Sequence, residues 1–161
     1  MASVGNGGRL VVSFFDDVEA GRAATEAAHE AVPGGSVGML VRTHDDVDVA
    51  RLDPPGRSDP EGLGALLAVL AAAITGGVLP RRHHFFDRRS DLSTDDVRRL
   101  SVELEVGHTA VLAWGSRAQA ERVVVRLTEL GGKVETHRLS RRALSQAAEQ
   151  ARPPGRTDRS A

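Results

Sequence analysis

Residues 62–80 constrain this chain more than any other stretch: nineteen consecutive positions carry no charge, and Thr75 is their only ordinary polar side chain. Such a run has to be hidden from water by protein or by lipid. Within it Gly64, Ala68, Ala72 and Gly76 recur at every fourth position. On a helix they form a smooth stripe of small residues that lets another backbone approach closely. Leu63, Leu66, Leu67, Leu70 and Ile74 add bulk around the stripe. A helix of this length reaches roughly 28 Å, near the hydrocarbon thickness of a bilayer. Two features oppose a membrane span. Much of the segment is Ala and Gly, which favour lipid far less than Leu or Phe. A single span would also put its flanks on opposite sides of a bilayer and split any sheet built from both. The pattern predicts an apolar helix over residues 61–80, buried within the domain or in a homo-oligomer. A membrane-surface helix and a segment released to a partner are the alternatives. Gly64, Ala68, Ala72 and Gly76 are the expected self-association surface.

The flanks read as alternating strands and helices. Residues 9–15 are a short apolar run rich in Val and Phe, which predicts a buried strand. Asp16 and Glu19 have capping-box spacing, and a helix is expected over residues 18–32. Ala20, Ala23, Ala24, Ala27, Ala28 and Ala31 lie on one side of it. Pro33-Gly34-Gly35 ends it. Residues 36–42 form a second expected strand, and residues 47–52 return as its hairpin partner. A proline-rich loop leads into the apolar helix. Beyond a basic loop at 81–93, Ser93 and Asp96 can cap a helix over residues 94–105. Residues 108–114 predict another core strand. Ser116 and Gln119 offer a second capping box for a helix with Ala120, Val123, Val124, Leu127 and Leu130 on its apolar face. Gly131-Gly132 stops that helix, residues 133–139 form a last strand, and Ser140 opens a short final helix. This order predicts one α+β domain over residues 9–151, of ferredoxin-like type. Its two split strand–helix–strand units would interleave into an antiparallel sheet with helices on one face. Residues 1–8 and 152–161 are expected to be flexible or disordered.

Composition bounds the chemistry. The chain has 161 residues, no cysteine and a formal net charge of −1. Disulfides, thiolate nucleophiles and cysteine-based metal sites are thereby excluded. The charge balance provides no general attraction to nucleic acid or anionic lipid. Residues 1–8 lack a charged stretch followed by an apolar run, so a cytoplasmic protein is expected, with the periphery of the inner membrane as a further location.

Arg81, Arg82, His83 and His84 are the densest polar cluster. A metal site would need further ligands such as Asp87 or His137, and nothing in the spacing brings them together. The cluster reads as a solvated basic loop with capacity to hold an anion or an acidic partner. Phe85-Phe86 is expected to pin that loop to the core, with insertion into a lipid interface as the alternative. His44, Asp45, Asp46 and Asp48 make an acidic turn without the calcium-loop pattern. Asp16-Asp17 reads as a helix cap rather than as paired catalytic carboxylates. Gly5-Asn6-Gly7-Gly8 precedes a strand instead of following one, so it fails the context of a dinucleotide fingerprint. Trp114 seals the core at a strand end. No catalytic residue, metal or cofactor is assigned, and no nucleic-acid partner is expected.

Phe14-Phe15-Asp16-Asp17, Leu104-Glu105-Val106-Gly107-His108-Thr109-Ala110 and Leu130-Gly131-Gly132-Lys133-Val134, in that order around a Gly/Ala-rich segment, resemble a known pattern. It is that of the bacterial family catalogued as domain of unknown function 1269, often labelled predicted membrane protein. The resemblance covers about residues 10–151. It implies a ferredoxin-like core with an inserted glycine-rich apolar segment, and no catalytic residue to carry over. Family members often hold an insert long enough for a helical hairpin, whereas this chain has only residues 62–80. The expected function is a non-enzymatic structural or interaction module, self-associating through the apolar helix. A small-ligand regulatory module of ACT-like type is the alternative.

Overall fold

A computed structural model describes residues 8–33, 36–44, 47–53, 94–104 and 108–139. The apolar helix at 61–80, the basic loop at 81–93, the final helix and both chain ends lie outside the described residues, Gly8 excepted. The described elements are β1 (Arg9–Phe15), α1 (Val18–Ala31), β2 (Ser36–Arg42), β3 (Val47–Asp53), α2 (Thr94–Glu103), β4 (Thr109–Gly115), α3 (Arg117–Glu129) and β5 (Lys133–Arg138).

The five strands form one antiparallel sheet in the order β3-β2-β4-β1-β5. Thus β4 lies between β1 and β2, and β1 lies between β4 and β5. The hairpin expected from residues 36–52 is present as the β2–β3 pair, with a register shift between Met39 and Leu40. Apolar runs occupy the centre because strands buried on both faces cannot alternate with polar residues. Accordingly, every residue of β4 is buried.

One face of the sheet carries α1 and α3. Val11, Phe15, Val37, Met39, Val111 and Ala113 meet Ala24, Ala28 and Ala31 of α1 and Ala120, Val123 and Leu127 of α3. The expected alanine face of α1 holds with one change. Ala23 is exposed, and Gly21 and Thr25 are buried in its place. The Thr25 hydroxyl avoids a buried unpaired group by donating to the Gly21 carbonyl at 2.7 Å.

Two local devices set the helix ends. The cap of α1 is Asp17, not Asp16 as the spacing suggested: its carboxylate accepts the Ala20 N–H at 2.8 Å. An aspartate at the N-cap reaches the amide three residues on, and with the helix starting at Val18 that places Asp17 in register. At α3 the Ser116–Gln119 capping box forms as expected, with both reciprocal bonds present. Its C-terminus closes with Gly132 N–H donating to Leu127 O and Gly131 N–H to Thr128 O. Gly131 adopts φ 88°, the left-handed conformation this closure demands.

The second face of the sheet corrects the expectation of helices on one face only. Leu10, Val12, Leu40, Ala110 and Leu112 alternate with the first set and are buried as well. A sheet apolar on both sides needs cover on both, and α2 lies on this second side. Its Leu100 and the adjoining Leu104 are buried. Arg42 Nη1 donates to the Leu104 carbonyl at 2.6 Å, which ties the end of α2 to β2. Among the described residues, no helix is long and apolar enough to cross a membrane.

Candidate functional site

The strand β5 sits at one edge of the sheet and has two different sides. Lys133, Glu135 and His137 share a side with Phe14, Val12 and Leu10, their register partners on β1. That is the α2 side. Val134 packs on the core beneath α3, and Thr136 alternates with Glu135 onto the same side.

On the α2 side the polar groups form a continuous ion-pair network. Arg99 Nη1 and Nη2 donate to Glu135 Oε1 and Oε2, both at 2.9 Å. This two-pronged pairing matches the planar fork of a guanidinium to a carboxylate. His137 Nε2 lies 3.2 Å from Glu135 Oε2. Asp96 and Glu103 approach Arg99 at 3.5 and 3.8 Å from one helical turn away on either side. Lys133 Nζ donates to both Glu103 oxygens, at 2.9 and 2.7 Å.

Burial works to raise the Glu135 pKa, but the Arg99 and His137 hydrogen bonds outweigh it and hold the carboxyl below its ordinary range. The hydrogen bond with Glu135 in turn keeps the Arg99 guanidinium more firmly protonated than usual, against a smaller opposing effect of burial. A carboxylate so saturated is a poor proton donor at neutral pH. The network therefore clamps α2 to the sheet edge. Among the described residues, no group of three or more His, Asp or Glu side chains could hold a metal ion.

On the other side a cavity of about 360 Å³ opens between α3 and the strands β1 and β5. Its walls are mainly apolar, from Ala120, Val124 and Val125 of α3. Arg117 and Glu121 of α3, Arg9 of β1 and Thr136 of β5 supply polar groups. Val125 is 56 % exposed. Arg117 Nε stands 3.6 Å from Glu121 Oε2, with both side chains mostly exposed. This is a loose surface pair of little energetic weight.

Of the residues singled out in the sequence, Gly64, Ala68, Ala72, Gly76, Arg81, Arg82, His83, His84, Phe85, Phe86 and Asp87 lie outside the described residues, as do Asp45 and Asp46. His44 and Asp48 are exposed beside the β2–β3 turn. Asp17 serves as a cap, and Asp16 is exposed next to it. Trp114 is buried at the end of β4, and its Nε1–H donates to the Leu139 carbonyl at 2.7 Å. His137 meets Glu135, a neighbour two positions away on the same strand side. Sequence reasoning missed Arg99, Glu135 and the α3–β5 cavity. Arg99 and Glu135 are 36 positions apart, and no local spacing signals their meeting.

Fold and site together define an α+β domain with a five-stranded antiparallel sheet covered on both faces and a cavity at one edge. No family model, curated protein or solved structure matches the chain.

Proposed function

We propose that this chain is a non-enzymatic interaction module with a ferredoxin-like core, self-associating through the apolar helix at residues 61–80. The strand order supports the core assignment: β5-β1-β4-β2 is the 4-1-3-2 arrangement of two interleaved strand–helix–strand units, with β3 added beyond β2. Membership of the family it resembles, domain of unknown function 1269, is part of the same reading, as is a location in the cytoplasm and at the periphery of the inner membrane. The observation that carries the self-association is the four-residue recurrence of Gly64, Ala68, Ala72 and Gly76 in an uncharged run. Light scattering tests it. Ala68→Leu, with its circular dichroism spectrum unchanged, is expected to shift the particle mass. An unchanged mass refutes the stripe as an interface.

A second reading, a small-ligand regulatory module, is favoured by the cavity beside β5. Here the ligand sits at a sheet edge, between α3 and β5. Ligand-dependent thermal stabilisation is the measurement that bears on it, because anything bound only by the folded state raises apparent stability.

A further inference from the structure

We propose that the α3–β5 cavity binds a small amphipathic carboxylate, its apolar part against Ala120, Val124 and Val125 and its carboxylate at Arg117. The inference rests on the small-ligand reading and assigns it a chemical class.

Three observations carry it. The volume of about 360 Å³ is at the small end of the range of roughly 300–1,000 Å³ in which ligand sites fall. Its lining is apolar, with a few polar groups at the rim, the usual division between a surface that binds and groups that orient. Val125 in particular holds a branched side chain 56 % exposed at this place. A ligand that covers it removes apolar area from water.

Charge selects the head group. Arg9 and Arg117 bring guanidinium groups to the cavity, and Glu121 brings a carboxylate. Among the described residues, Arg117 is held only by its 3.6 Å contact with Glu121, on side chains 75 % and 69 % exposed. Exchanging so weak a partner for a ligand carboxylate costs little. The guanidinium fork donates two parallel hydrogen bonds to a carboxylate, an arrangement that a ligand hydroxyl cannot match and a ligand ammonium cannot make. The Thr136 hydroxyl lines the same cavity from the sheet.

The test is an amide chemical-shift titration of the full chain with three probes of equal chain length: hexanoate, hexan-1-ol and hexylamine. Hexanoate is expected to give saturable shifts centred on Ala120, Val124, Val125 and Thr136, with a Kd of about 1 mM for so small a ligand. Arg117→Gln, a change at an exposed position, is expected to weaken hexanoate about tenfold and leave hexan-1-ol unaffected. If hexan-1-ol binds as tightly as hexanoate, the carboxylate class is refuted and the small-ligand reading stands. If no probe gives saturable shifts at these four residues, the cavity is no ligand site and both fall.

Discussion

Arg99 on α2 grips both carboxylate oxygens of Glu135 on β5 at 2.9 Å, so a helix and an edge strand 36 positions apart are joined by one guanidinium fork. The pair is partly exposed, with side chains 43 % and 26 % accessible. Its worth is therefore that of a well-aligned surface bridge. A double-mutant cycle with Arg99→Ala and Glu135→Ala, followed by urea unfolding, is expected to give a coupling energy of about 1 kcal/mol.

The same pair sets a pH dependence. The folded state holds the Glu135 pKa below its unfolded value, so Glu135 contributes stability that is fully present above the unfolded pKa of about 4.3. That contribution is lost as pH falls through the lower folded-state value. The stability difference between the wild type and Glu135→Gln should therefore be constant near neutrality and shrink below about pH 4. A difference that instead grew on acidification would contradict a carboxylate held by Arg99.

Asp16 and Asp17 separate a cap from its neighbour. Asp17→Ala removes the acceptor of the Ala20 N–H and is expected to cost about 1 kcal/mol in chemical unfolding. Asp16 is exposed, and Asp16→Ala should change stability by less than about 0.5 kcal/mol. Equal losses at the two positions would argue against Asp17 as the sole cap.

Ser13 and Gly132 are matched across the turn after α3. A Cβ on Gly132 would meet the Ser13 hydroxyl and come within 2.6 Å of the Phe15 ring. Gly132→Ala is thus expected to destabilise by about 1–3 kcal/mol through overpacking. The Ser13 hydroxyl is itself buried with no hydrogen-bond partner among the described residues. Ser13→Ala removes a buried unsatisfied group and should stabilise the fold by about 1 kcal/mol. In the double variant the loss at Gly132 should be smaller, because one of the two clashes is gone. A thermal melt of the four proteins reads all three effects.

Trp114 reports on the closure of the sheet. Its ring is 7 % exposed, and its N–H holds the Leu139 carbonyl, while Leu139 N–H donates to Gly8 O at 3.1 Å. As the single tryptophan, it should emit at short wavelength in the native state and shift red on unfolding. Trp114→Phe leaves a buried carbonyl without its donor and is expected to cost about 1–3 kcal/mol from that source alone.

Much of the candidate site was invisible in the sequence. His137 stood out as a chemical group and Glu135 lies two positions away on the same strand side, yet the arrival of Arg99 at Glu135 depends on α2 lying over the second sheet face. The cavity walls come from β1, α3 and β5, and their polar residues have no shared spacing. Arg9, Arg117 and Thr136 look like ordinary surface positions until the strands are placed side by side.

Local periodicity and end signals were enough to determine β1, the β2–β3 hairpin, α1, β4, α3 and β5. Each is encoded within a few residues, by apolar runs, by the Ser116–Gln119 box or by Gly131-Gly132. The helices and the β2–β3 hairpin also close their hydrogen bonds over short separations, whereas β1, β4 and β5 pair across the length of the chain. Only the tertiary structure decided the strand order, the choice of Asp17 as cap, the position of α2 and the Arg99–Glu135 clamp. Those outcomes depend on which apolar faces bury one another across the whole chain. A residue's own neighbours in sequence carry no record of that choice, because burial is won by surfaces that meet only after the chain has folded.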